Sequence, residues 1–122
     1  MGINKKINRR YQIAKYLIQV SYVGEGVPGL VKEGGSGRRK ASERIIEALG
    51  GRIEAMYYAF GQIDAFIIVD LPDNISAATA SLMVNASGRV KVTYTPLFTP
   101  DEIDQAAEKG RQIPAAYRAP GQ

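Results

Sequence analysis

The chain of 122 residues contains no cysteine and no histidine. Without cysteine it has no disulfides, no thiolate nucleophiles and no iron–sulfur clusters. Without histidine it lacks the commonest metal ligand and the commonest general base at neutral pH. A metal site would need carboxylate and carbonyl oxygens, which favours Mg²⁺ or Ca²⁺ over Zn²⁺. These absences argue against a hydrolase, and we expect no metal and no cofactor.

Long hydrophobic runs are also missing. The longest apolar stretch covers residues 65–69, which is far too short to cross a bilayer. No apolar segment of the secretory type follows the charged N-terminus, so no signal peptide is predicted. We therefore expect a single cytoplasmic domain that does not enter a membrane.

The positive charge is concentrated at one end of the chain. The net charge is +4, and five of the sixteen basic residues lie in residues 1–15, where there is no acidic residue. The other 107 residues carry eleven basic and twelve acidic side chains. Such a tail could touch an anionic surface, but nucleic-acid binding usually needs a wider basic face, and we do not expect it. The predicted organisation is a basic extension over residues 1–14, a domain over residues 15–110 and a tail over residues 111–122.

Alternating apolar residues predict four strands, over residues 15–22, 52–60, 65–71 and 89–97. A glycine-rich segment over residues 24–37 has room for a helical turn at residues 28–33, and a helix is predicted over residues 36–49 with Ser36 as its N-cap. Asp73 is predicted to cap a second helix that ends at Gly88. Its apolar stripe comprises Ile75, Ala78, Thr79, Leu82 and Ala86. A capping box with proline at the first helical position, residues 99–102, predicts a third helix that ends near Gly110. The last twelve residues have no period, so we expect them to be extended or disordered.

The order β-α-β-β-α-β predicts an α+β fold of the ferredoxin-like type. Its four-stranded antiparallel sheet would have the first and third strands in the centre and both main helices on one face. The other face would then be open. The residues expected on the open face are Leu17, Gln19, Ser21, Met56, Tyr58, Phe60, Phe66, Ile68 and Thr93. So much apolar surface rarely faces water in a monomer, and we expect a second copy to cover it about a two-fold axis.

Several segments resemble the GYD family of small, mostly bacterial proteins. They lie at residues 14–22, 29–36, 59–61 with Asp64, 69–74 and 95–102. One departure falls on the family's signature, because Ile63 stands where a tyrosine is expected just before Asp64. The resemblance implies a dimeric α/β barrel, in which two ferredoxin-like sheets pair across their open faces. Similar barrels include monooxygenases, isomerases and ligand-sensing domains, and the GYD family itself implies no particular activity.

The candidate site residues form three groups. Residues that would line a pocket between paired sheets are Gln19, Ser21, Tyr58, Phe60, Phe66 and Thr93; they could equally pack the dimer core and leave no cavity. Candidates for a catalytic acid or base are Asp64, Tyr58 and Lys32, although an aspartate after a turn more often stabilises that turn. A glycine-rich helix start beside basic side chains suggests an anion site at Ser36, Arg38 and Arg39.

Three functions are compatible with this sequence. The leading hypothesis is a homodimer, or a higher oligomer, that binds a small aromatic or carboxylated molecule between its sheets. The alternative is a cofactor-independent enzyme of the monooxygenase or isomerase type. A third hypothesis is an interaction module whose basic extension recruits a partner.

Overall fold

The structure, a computed structural model, describes residues 13–122. The basic extension predicted over residues 1–14 therefore lies almost wholly outside the described residues. Of that segment only Ile13 and Ala14 are described, and Ala14 is already the first residue of a strand.

Four strands and three helices alternate in the predicted order. The strands are β1 (Ala14–Tyr22), β2 (Arg52–Tyr58), β3 (Ala65–Leu71) and β4 (Val90–Leu97). The helices are α1 (Gly26–Ala48), α2 (Asn74–Ala86) and α3 (Pro100–Arg111). The tail, which was expected to be irregular, contains one short 3-10 turn, Pro114–Ala116.

The sheet has the predicted ferredoxin-like topology. Its strand order is β2-β3-β1-β4 with antiparallel neighbours throughout, so β1 and β3 are central. Every second residue of β1 is buried, namely Tyr16, Ile18 and Val20, because this face carries α1 and α2. The fold class inferred from the element order is confirmed. We call the face under α1 and α2 the covered face and the opposite one the open face.

Two helix starts were predicted correctly from local sequence. The Asp73 carboxylate accepts a hydrogen bond from the Ser76 N–H at 2.8 Å and caps α2. Thr99 and Glu102 form the reciprocal capping box at the start of α3. Both motifs satisfy N–H groups that have no partner within the helix, so they depend on few distant contacts.

The predicted apolar stripe of α2 is wrong. The helix buries Ala77 and Ala80, whereas Ile75 and Leu82 are exposed. Small alanine side chains let a helix backbone lie close to a sheet. The face of α2 that contacts the sheet therefore carries Ala77 and Ala80 rather than the larger Ile75 and Leu82.

The predicted helix start at Ser36 lies close to the start of the second of two helical segments in α1, whereas the element as a whole begins after Glu25. The two segments meet at a kink at Gly34, which has φ 77° and ψ 167°, and Ser36 lies just beyond it. Glycine adopts this positive φ without the steric cost that other residues would meet. The chain therefore continues as a second helical segment in a new direction.

A bulge in β2 changes the faces assigned to its side chains. Ile53 pairs with Val69 and Ala55 pairs with Ile68, so Glu54 is the extra residue in this ladder. An extra residue moves every following side chain to the opposite face.

The predicted placement of Met56 and Tyr58 on the open face is therefore wrong. Both lie on the covered face, opposite Ile67 and Ala65. Tyr57 takes the open-face position instead.

Phe60 also leaves the open face. It lies just after the end of β2 and has a positive φ of 56°, which is uncommon for any residue but glycine. Its ring stacks on Tyr58, with ring centroids 6.0 Å apart and planes 9° from parallel.

The start of α1 is packed too tightly to accept a side chain. A Cβ built on Gly26 would lie 1.9 Å from the carbonyl oxygen of Arg89, at the start of β4. We expect Gly26→Ala to lower the free energy of unfolding by about 1–3 kcal/mol through overpacking. At Gly29 a built Cβ has no atom within 4 Å apart from its chain neighbours and the backbone of its own helix. Gly29→Ala should therefore be neutral or stabilise the fold by up to about 1 kcal/mol. Urea unfolding of both variants tests this, and equal stability of the two would contradict it.

Candidate functional site

The covered face contains an apolar cavity of about 200 Å³ between the sheet, α1 and α2, open to solvent on one side. Its walls include Ile18 and Val20 from β1, Ile45 and Ile46 from α1, and Val84 from α2. Tyr94 adds an aromatic ring, and its burial raises the pKa of its hydroxyl to about 12, so that hydroxyl stays neutral at physiological pH. A cavity of about 150 Å³ with similar walls accommodates benzene. The space therefore suits a molecule with a small apolar body.

Arg38 stands where this cavity meets a second one. The second cavity has a volume of about 190 Å³ and also borders Glu25, Glu33 and Arg89. Arg38 and Tyr22 line both cavities. An apolar chamber and a charged chamber thus lie side by side, with a guanidinium between them.

Tyr58 supports the kink of α1 from the sheet. Its hydroxyl donates a hydrogen bond to the carbonyl oxygen of Gly35 at 3.0 Å. Burial, with a smaller contribution from the neighbouring Tyr22, raises the pKa of Tyr58 to about 12. Tyr58 therefore remains a neutral donor near pH 7.

The open face has an apolar centre. Tyr57, Phe66, Gln19 and Thr93 form one row across the four strands. The next row contains Ala55, Ile68, Leu17 and Thr95. Tyr57 is 73% exposed, which is unusual for an aromatic side chain surrounded by other apolar groups.

A group of paired charges marks one end of the open face. The Lys15 ammonium contacts Asp70 at 2.7 Å and also Glu54, while Arg52 contacts Asp70 at 3.1 Å. Partial burial lowers the pKa of Lys15, but the hydrogen bonds with Asp70 and Glu54 outweigh it and raise that pKa above its ordinary value. Because each charge has a partner, this end can approach another surface without leaving an isolated ion.

A family model described as GYD domain matches residues 16–107, which is most of the chain. This chain belongs to the GYD domain family. No curated protein matches the chain, and no solved structure matches it. The resemblance seen in the sequence is confirmed, and the departure at Ile63 lies in the turn between β2 and β3 of this GYD domain.

The GYD domain separates the six predicted ligand-binding residues. The registers place Gln19, Phe66 and Thr93 in one row of the open face, with Ser21 one position further along β1. Tyr58 lies on the other side of the sheet because of the bulge at Glu54, and the Phe60 ring stacks on it. The predicted pocket between paired sheets therefore loses two of its three aromatic rings.

The three catalytic candidates of the GYD domain have different settings. The Asp64 carboxylate accepts a hydrogen bond from the Tyr22 N–H at 2.9 Å, while its backbone N–H and C=O bond to Val20 and Ala59. These contacts fit the structural interpretation of Asp64. Tyr58 holds the kink of α1, and Lys32 is exposed on the first segment of α1.

The predicted anion site is also divided. Arg38 faces the two cavities and contacts Glu33, whereas Arg39 pairs with Glu43 at 3.5 Å on the surface of α1. Ser36 is exposed beside the kink. Of the three, Arg38 alone lines the two cavities described above.

Within residues 13–122 of the chain, no group of three or more acidic side chains is arranged to hold a metal ion. None of the helices described here has the length and apolar character that crossing a membrane requires.

The sequence interpretation did not identify the cavity, although one signal pointed to it. Arg38 precedes Ala41 and Ile45 at spacings of three and seven residues, so it falls on the core-facing stripe of α1. A charged residue on such a stripe usually needs a partner or a ligand.

Asp64 provides a test of the structural interpretation. Asp64→Ala leaves the Tyr22 N–H without an acceptor and should lower the free energy of unfolding by about 1–3 kcal/mol. Asp64→Asn keeps an acceptor oxygen at the same place and should lose less than about 1 kcal/mol. Urea unfolding distinguishes the two. If Asn costs as much as Ala, the carboxylate charge matters more than the hydrogen bond, and the structural interpretation is wrong.

Proposed function

We propose that this protein is a homodimer that binds a small molecule with an apolar body in the cavity on the covered face of each chain. One observation carries the proposal: the cavity of about 200 Å³ has mostly apolar walls and only a few polar groups at its edge. Ligand sites in proteins have this composition. Water gains little from such walls, so an apolar molecule is the favoured occupant.

The open face supports the dimer. Its apolar residues are Leu17, Ala55, Tyr57, Phe66 and Ile68. The charges at its end are already paired, so two such faces can meet about a two-fold axis without an unpaired ion. All twelve residues of α3 are exposed, including Ile103, which gives a partner copy further apolar surface.

The predicted site between the sheets remains a second position for the molecule. It would use Gln19, Ser21, Phe66 and Thr93 on the open face. The cavity on the covered face is the better supported of the two, because one chain alone supplies its walls.

A cavity-filling variant tests the binding site. Ala41 lines the cavity, so Ala41→Leu should occupy part of it and weaken the binding of the neutral probe 2-phenylethanol at least about tenfold. Filling a cavity commonly stabilises a fold by about 0.5–2 kcal/mol, so the variant should remain folded. Titration calorimetry or ligand-observed NMR measures the affinity.

Ala78→Leu is the matched control, because Ala78 is exposed on α2. It should bind the probe as the wild type does. Unchanged binding by Ala41→Leu would mean that the molecule sits elsewhere, such as between the sheets. No binding by the wild type would contradict the proposed function for this class of molecule.

A charge on the open face tests the dimer. Tyr57→Glu places a carboxylate where two open faces would meet and should raise the dimer dissociation constant at least about tenfold. Since Tyr57 is 73% exposed within the chain, the fold itself should tolerate the change.

Val31→Glu is the control, because Val31 is 79% exposed on α1. Sedimentation velocity should show dimers for this variant and a shift toward monomers for Tyr57→Glu. Identical behaviour of the two variants, or a monomeric wild type, would rule out the open face as the interface.

A further inference from the structure

We infer that the molecule in the covered-face cavity is a monocarboxylate. In its absence Glu33 forms an ion pair with Arg38, and the carboxylate of the molecule displaces Glu33 when it binds. The inference rests on the proposed function, since it concerns the same cavity. It assigns the charge of the ligand and the residue that competes with it.

The side chain of Arg38 is only 29% exposed and borders both cavities. A guanidinium that has lost much of its water needs an anion nearby. The present anion is Glu33, whose Oε2 lies 3.3 Å from Nη1 of Arg38.

The ion pair with Glu33 leaves N–H donors of the Arg38 guanidinium unused. A guanidinium has five N–H donors and binds a carboxylate best through two parallel hydrogen bonds. The contact with Glu33 joins a single nitrogen and a single oxygen at the long end of the hydrogen-bond range. A free carboxylate that enters with two well-placed oxygens would therefore bind Arg38 better than Glu33 does.

The contact between Glu33 and Arg38 depends on the kink of α1. Glu33 precedes Arg38 by five residues, which is not a spacing at which side chains meet on a regular helix. The two meet across the kink at Gly34. The pair of Arg39 with Glu43 has the ordinary spacing of four residues. The kink thus brings the Glu33 carboxylate to Arg38, which lies at the border of the two cavities.

Replacing the Glu33 carboxylate at Arg38 by the carboxylate of a ligand costs little free energy. The Glu33 side chain is 46% exposed, so its carboxylate returns to water with little loss when it leaves Arg38. The incoming molecule also buries its apolar body among Ile18, Val20 and Ile45. In the charged chamber Glu25 and Glu33 are balanced by Arg38 and Arg89, so no surplus positive charge is left there for a second carboxylate on the ligand. A single carboxylate on an apolar body fits these surroundings best.

The experiment compares three probes with the same ring: phenylacetate, neutral 2-phenylethanol and cationic 2-phenylethylamine. Their affinities for the full chain are measured by titration calorimetry, and circular dichroism confirms that each variant is folded. We expect wild type to bind phenylacetate most tightly. Arg38→Gln should weaken phenylacetate binding about tenfold or more and weaken 2-phenylethanol binding much less, because only the acid loses an ion pair.

Glu33→Gln is the decisive variant. By removing the competitor it should strengthen phenylacetate binding about two- to fivefold, the range expected for a partly exposed ion pair. It should not change the affinity for 2-phenylethanol. Glu43→Gln removes a similar ion pair away from the cavity and should change neither.

Three results would overturn the inference. If Glu33→Gln and Glu43→Gln both bind phenylacetate as the wild type does, Glu33 does not compete. If the alcohol binds as tightly as the acid and Arg38→Gln affects neither, the ligand is not recognised through a carboxylate, although the proposed function stands. If 2-phenylethylamine binds best, Glu33 rather than Arg38 recognises the ligand. Failure of all three probes to bind would instead remove the proposed function and this inference with it.

Discussion

The register of β2 against β3 determines which surface each side chain of the central hairpin joins. The bulge at Glu54 sends Met56 and Tyr58 to the covered face and leaves Tyr57 on the open face. On the covered face, Met56 lines the cavity and Tyr58 holds the kink of α1 through Gly35. The extra residue itself contributes its carboxylate to Lys15. One inserted residue thus shapes both the candidate binding site and the candidate interface.

The two faces of the sheet offer different chemistry. The covered face meets helices that leave space for an apolar body, with Arg38 at the edge. The open face has an apolar centre with paired charges at one end, which suits another protein surface better than a small molecule. The proposed ligand site and the proposed interface would use different residues, so binding and assembly would not compete. The contact of Glu33 with Arg38 across the kink at Gly34 lies on the covered side.

The sequence predicted those features that depend on short-range rules. The alternation in β1 gave the strand and its faces, and the caps at Asp73 and Thr99 marked two helix starts. The element order was enough to predict the strand order of the sheet. The family resemblance followed from several matching segments and is confirmed over residues 16–107.

The missed features depend on contacts between distant segments. Nothing in residues 52–58 distinguishes a regular strand from a bulged one, since Ile53, Ala55 and Tyr57 alternate normally with their neighbours. Gly34 and Gly35 suggested a loop, whereas the chain passes through them within a kinked helix. The cavity depends on how far α1 and α2 stand from the sheet, which no local pattern encodes. Only Arg38 on the core-facing stripe of α1 signalled it.

The most direct test of this account is the ligand stoichiometry of the assembled protein, measured by native mass spectrometry in the presence of phenylacetate. A site in the covered-face cavity of each chain predicts a dimer that carries two molecules of the acid. A dimer that takes up only one molecule would place the site on the two-fold axis between the sheets. That result, or a monomer, would contradict the separation of binding and assembly between the two faces.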